Sequence, residues 1–247
     1  IRAVTDATGS VPSQHTIAGT VLTMPVRVRK ATQHMAMFSV DADAAQRMID
    51  YSGLKVCRYR PRRAVAVLML MHYVDSDLGE YYEYGTNIMV NLPGSNAAGL
   101  RALQSAGAFI HHLPVDQAFT LEAGRNIWGY PKVMADFAIR DGKNFSFDVT
   151  IDGRFAVGMD FRPGFPVPAP SKPQAPPTYS HLDGVTRETV GVMKPSGVRY
   201  RPGGVTVRLG DHPYAQELAA LGLPKRAMLS GSADNVDMTF ADAQEIK

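Results

Sequence analysis

Lys132 is the residue with the most chemical promise in this sequence. It closes the stretch Gly124-Arg125-Asn126-Ile127-Trp128-Gly129-Tyr130-Pro131-Lys132. A lysine nucleophile has to be a neutral amine, and at an ordinary pKa near 10.4 only about one lysine in 2,500 is neutral at pH 7. A fall to about 7 makes half of it neutral and corresponds to about 4 to 5 kcal/mol. Burial among apolar groups supplies such a shift, because desolvation penalises the charged form. Trp128, Tyr130, Pro131, Val133 and Met134 make the surroundings apolar, and Pro131 fixes the backbone just before the lysine. An amine so prepared attacks a ketone and forms an iminium, which is an electron sink. A β-keto acid held this way loses CO2 as its carbanion delocalises into an enamine, with no metal and no separate cofactor.

Other residue types that do chemistry are read more plainly. Glu80 and Glu83 lie three apart on a strand, so they face opposite sides and only one points inward. His111 and His112 are adjacent on a strand, where neighbours diverge, and no acidic residue sits at a recognisable spacing; a structural or surface role is expected, and no metal site. His212 follows Asp211 at a helix start, where the aspartate serves as the cap. Arg58, Arg60, Arg62 and Arg63 read as a surface or subunit-contact cluster, and Met69 to Met71 as core packing. No Gly-x-Ser-x-Gly elbow occurs. The single cysteine, Cys57, excludes an intramolecular disulfide and argues against a cysteine metal site.

These groups need a scaffold, and 247 residues suffice for one large domain. The 26 basic against 23 acidic side chains give a mild positive balance, which suits an anionic metabolite and does not argue for nucleic acid. No apolar run approaches the roughly 18 residues that span a bilayer, and residues 1–13 lack a signal-peptide layout. A cytoplasmic enzyme is the expectation.

The elements read as mostly strands. Gly19 to Arg29, Met35 to Val40, Ala64 to Tyr73, Tyr81 to Leu92, Arg154 to Phe161 and Val198 to Leu209 carry strand patterns. Met134 to Arg140 and Phe145 to Ile151 alternate around Asp141-Gly142, a hairpin signal. Helices are expected over Asp41 to Tyr51, capped by Asp41 or Asp43, and over Asp211 to Leu221. Phe119 to Gly129 leads into a Gly-Tyr-Pro turn, Gly164 to Pro177 is a proline-rich extended loop, and Ala227 to Phe240 closes the chain.

The lysine stretch resembles the segment that carries the Schiff-base lysine of the acetoacetate decarboxylase family, which runs Gly-Arg-Glu, a few residues, then an aromatic, Pro and Lys. Leu78-Gly79-Glu80-Tyr81-Tyr82-Glu83-Tyr84-Gly85 resembles the family's first glutamate-bearing segment, and Arg208-Leu209-Gly210-Asp211-His212 its Leu-Phe-Asp-His segment. The resemblance implies Lys132 and Glu83 as catalytic, Trp128 and Tyr130 as pocket-shaping, and Arg29 (or Lys30) as the nearest match to a substrate-facing arginine. It also implies a β-rich α+β fold, a curled sheet or cone-like barrel with a few peripheral helices. That would be one domain over 1–247, with residues 1–17 as a flexible N-terminal segment, assembling as a homo-oligomer on a small keto acid without membrane or nucleic-acid partners.

Three departures stand out. Val133 replaces the second lysine, the cationic neighbour held in this family to depress the pKa. Asn126 stands in place of the glutamate, and no carboxylate lies around Val67 or Leu68. The leading expectation is a decarboxylase of acetoacetate or a related β-keto acid. The departures motivate an aldolase or dehydratase using pyruvate or a related 2-keto acid through the same iminium. A non-catalytic small-anion-binding protein is the third reading.

Overall fold

The computed structural model describes residues 12–246. Its centre is a closed barrel of seven strands. In spatial order these are Val26–Asp41, Asn235–Phe240, Val185–Ser196, Pro177–Leu182, Gly107–Val115, Tyr81–Val90 and Arg63–Ser76, and the last pairs back onto the first. All neighbours are antiparallel except Pro177–Leu182 on Gly107–Val115, and closure removes the exposed edges that a sheet of this size would present. Among the described residues four α-helices lie around it: α1 (Ala42–Ile49), α2 (Leu100–Gln104), α3 (Ala118–Trp128) and α4 (Pro213–Ala220). The β-rich barrel with few helices matches the expected fold.

Two apolar clusters follow from the alternation of side chains along these strands. Val28, Met71, Tyr73, Tyr81, Leu113, Val115, Trp128 and Tyr130 belong to one. Phe38, Leu68, Leu70, Tyr84, Ile88 and Phe109 point the other way. They pack against a second, four-stranded sheet (Asp136–Arg140, Phe145–Ile151, Arg154–Phe161, Val205–Leu209) and against Leu218 of α4.

Most expected elements stand, with instructive shifts. Gly19 to Arg29 is not one strand. Thr20–Thr23 pairs with Gln14–Ile17 in a hairpin, and a new strand begins at Val26 after Pro25, a residue that cannot donate to a ladder. That strand runs unbroken through Met35 to Val40 for 16 residues. Of the segment 1–17 expected to be flexible, residues 1–11 lie outside the described residues, and Gln14–Ile17 form the hairpin's first strand. Asp41 caps α1 through Oδ1, which accepts from the Asp43 and Ala44 amides. The cap of α4 is His212, whose Nδ1 accepts from the Tyr214 amide, and not Asp211, which lies exposed beside Arg154. Among the described residues no helix is long and apolar enough to cross a membrane.

Candidate active site

Lys132 opens the short strand Lys132–Met134, which pairs in parallel with Gly107–Val115. The chain reaches it by ending α3 in a left-handed turn at Gly129, φ 62°, a conformation that suits glycine. The Tyr130 amide donates to the Gly124 carbonyl, and the Arg125 guanidinium donates to the Lys132 carbonyl at 3.2 Å. The lysine stem then folds back over α3. A Cβ on Gly124 would sit 2.6 Å from Lys132 Cδ and 2.7 Å from Cε, so only a glycine leaves room for the side chain in this path. Gly124 and Arg125 thereby gain a structural reason for their place in the stretch, while Asn126 faces solvent.

The lysine side chain is 2% exposed. Its amine donates to Glu83 Oε2 at 2.9 Å and to Thr120 Oγ1 at 2.8 Å, and lies 5.1 Å from the centroid of the Tyr81 ring. The other carboxylate oxygen, Glu83 Oε1, accepts from the Tyr73 hydroxyl at 3.0 Å. Tyr73 and Tyr81 are paired across their hairpin and stack at 4.3 Å. Burial pulls the lysine pKa below its ordinary value; the charge of Glu83 and its hydrogen bond act in the opposite direction without reversing the shift. The phenols of Tyr73 and Tyr81 are pushed well above their usual range, chiefly by burial and then by the Glu83 charge. Both therefore remain neutral hydrogen-bond donors at physiological pH.

The arrangement can therefore present a buried amine, a carboxylate that exchanges a proton with it, and neutral hydroxyls on either side. The structure brings Lys132 and Glu83 together, and Glu80 lies outside this contact, exposed beside His72. Tyr130 is buried in the same apolar cluster, and burial pushes its phenol up to about 12. Trp128 stacks on Tyr130, but its indole N–H is spent on the Ala241 carbonyl at 2.8 Å, which ties α3 to the end of the chain. Arg29 is not brought to the lysine. Two register shifts in the pairing of Val26–Asp41 with Arg63–Ser76 flank Lys30, and the Arg29 guanidinium binds Asp75 at 2.6 Å and Asp77 at 2.7 Å on the surface. The positions around Val67 carry no acid. Asn87 fills part of that space and donates to the Val67 carbonyl at 3.4 Å.

Sequence reasoning missed Tyr73, Tyr81 and Thr120. The hairpin register holds the signal for the tyrosines: opposing residues sum to 154, so Tyr73 faces Tyr81 where Met71 faces Glu83. Thr120 lies four residues before Gly124, on the same face of α3.

Comparison with known proteins bears on the family and the fold. A family model described as acetoacetate decarboxylase (ADC) matches residues 10–244. No curated protein matches the chain. Among solved structures, acetoacetate decarboxylase from Legionella pneumophila subsp. pneumophila str. Philadelphia 1 is similar with a TM-score of 0.67 at 16% identity, over 98% of this chain and 93% of that one. The enduracididine biosynthesis enzyme MppR complexed with pyruvate is similar with a TM-score of 0.62 at 18% identity, over 90% of each chain. The same enzyme with the condensation product of pyruvate and imidazole 4-carboxaldehyde gives 0.59 at 19% identity, over 90% of this chain and 88% of that one. At these identities the solved structures speak for the fold.

Proposed function

The chain belongs to the acetoacetate decarboxylase family, and from that premise we propose that it is a Schiff-base enzyme that decarboxylates acetoacetate or a related small β-keto acid through Lys132. The observation that carries this reading is the buried amine held by Glu83 and Thr120. Glu83 takes the proton that leaves Lys132 neutral. The amine adds to the ketone, and the carbinolamine loses water as Glu83 returns a proton to the departing oxygen. The C–C bond to the carboxylate then breaks, its electron pair moves into the iminium, and CO2 departs. Protonation of the enamine carbon and hydrolysis release the ketone and restore the lysine. Tyr73 fixes the carboxylate throughout, so Glu83 meets the amine in one orientation.

Desolvation replaces the missing second lysine. Val133 brings no charge, and burial alone lowers the Lys132 pKa. Arg29 stays on the surface, so the substrate carboxylate is left without that guanidinium. A weakly held carboxylate favours loss of CO2, because strong ion pairing stabilises the ground state more than the less charged transition state.

A second reading keeps the iminium and uses it for aldol condensation or dehydration with pyruvate or a related 2-keto acid. The absence of an acid near Val67 favours it, and MppR, a structural relative, has been captured with pyruvate and with a pyruvate condensation product. The test is borohydride trapping with acetoacetate or pyruvate, followed by peptide mass spectrometry, with Lys132→Ala as control. A reduced adduct on Lys132 from acetoacetate, accompanied by CO2, is the expected result. Preferential trapping of pyruvate without CO2 moves the assignment to the second reading. Binding of either acid with no adduct leaves a small-anion-binding protein.

A further inference from the structure

His111, His112 and Glu217 form a second polar cluster, on the outer side of the barrel wall. The strand Gly107–Val115 carries a bulge there: Thr86 pairs with His112 but Asn87 with Ile110, which leaves His111 as the extra residue. An inserted residue re-aims the side chains around it. Two imidazoles that would diverge on a regular strand therefore converge. The Nε2 atom of each lies 2.6 Å from one oxygen, Glu217 Oε2, supplied by α4 from 105 residues further along the chain. The three donor atoms lie within 4.8 Å of one another.

Both rings are held from behind. The Tyr51 hydroxyl sits 2.8 Å from His111 Nδ1, and the Tyr214 ring stacks on His112 at 3.6 Å. A hydrogen-bond partner on the second ring nitrogen, as Tyr51 gives His111, orients a metal-binding imidazole, whereas His112 is held by stacking and its Nδ1 has no hydrogen-bond partner among the described residues. The imidazole side chains are 8% and 4% exposed, whereas that of Glu217 is 43% exposed. The carboxylate can therefore move back to admit an ion, and solvent can supply a further ligand.

We propose that His111 Nε2, His112 Nε2 and a Glu217 carboxylate oxygen form a binding site for one zinc-class divalent transition-metal ion. Two imidazoles and one carboxylate suit zinc, with nitrogens at about 2.0 to 2.1 Å and a position left for water. The ion ties α4 to the strand that pairs with Lys132 through Leu113, so it braces the wall behind the lysine without entering its chemistry.

The test uses the untagged full-length chain, stripped with a chelator and titrated with Zn2+ against a chromophoric competitor, with Co2+ absorption as a second readout of the ligand set. The expected result is one equivalent per chain, tenfold or more weaker in Glu217→Gln and in His111→Gln, and unchanged in Lys132→Ala. Circular dichroism verifies that each variant is folded, and Glu217 is exposed enough for its replacement to keep the packing. No Zn2+ competition by the wild-type chain overturns the proposal. So does equal affinity in folded Glu217→Gln and His111→Gln, which would mark the cluster as a hydrogen-bonded clamp alone.

Discussion

Lys132 and Arg29 are both cationic side chains held by carboxylates, yet their protonation is driven in opposite directions. Arg29 lies at the surface between Asp75 and Asp77, and their hydrogen bonds and charges raise its already high pKa further. Lys132 has one carboxylate, Glu83, at 2.9 Å, and its pKa falls. Burial makes the difference. Solvent screens and stabilises the exposed ions, and such pairs add little to stability. Inside the barrel, water is withdrawn from the ammonium, and the neutral amine gains more than Glu83 gives back to the charged form. A guanidinium is never a nucleophile at accessible pH in either place. Reactivity here follows from side-chain type combined with burial; a nearby acid is not enough.

Changes at the lysine break this contrast most completely. Lys132→Arg keeps a cation near Glu83 but removes the amine, and borohydride trapping should fall to background. Gly124→Ala leaves the lysine in the sequence and closes its path, since the new Cβ meets the Lys132 stem at 2.6 Å. The stem must swing away from Glu83 and Thr120 to make room, and trapping should slow about tenfold, equivalent to about 1.4 kcal/mol. Alanine favours helix, so α3 should persist by circular dichroism. Glu83→Gln sharpens the contrast. The Glu83 charge raises the lysine pKa, so its removal should move the neutral amine to lower pH. Amine acylation measured against pH should show its midpoint shifted down, while turnover drops because the proton acceptor is gone. Arg29→Gln is the smallest change: trapping on Lys132 should stay within about twofold of wild type, since the guanidinium sits with its aspartates on the surface. A large loss there would return Arg29 to the site.

How much of this was legible in the sequence depended on distance along the chain. The lysine stretch could be read because helix end, left-handed glycine and strand start are consecutive, and one local turn positions Lys132 over Gly124. Glu83 is buried on the strand Tyr81–Val90, whereas Glu80 lies in the turn before it, so the facing rule did not decide between them. Tyr73 is placed by the register of a hairpin whose strands are long but whose turn, between Ser76 and Tyr81, is short. Arg29 lies with its surface aspartates beside a slip of the ladder at Lys30, and no residue type announces such an irregularity. The convergence of the histidines was hidden in the same way, as the bulge at His111 depends on how Tyr81–Val90 pairs with Gly107–Val115. Their third partner, Glu217, arrives from α4, 105 residues further along the chain than His112. The α4 cap was misassigned because both Asp211 and His212 offer an acceptor, and only backbone direction selects between them.

The central claim is that burial leaves Lys132 with a depressed pKa despite Glu83. The most direct measurement is a pH titration of the Lys132 Nζ signal by NMR, with Lys132→Ala to assign it. The account predicts a midpoint below that of an ordinary lysine, near 10.4, and a further fall in Glu83→Gln. A midpoint at or above the ordinary value would mean that the ion pair outweighs desolvation, and would contradict the account of Lys132 as the nucleophile.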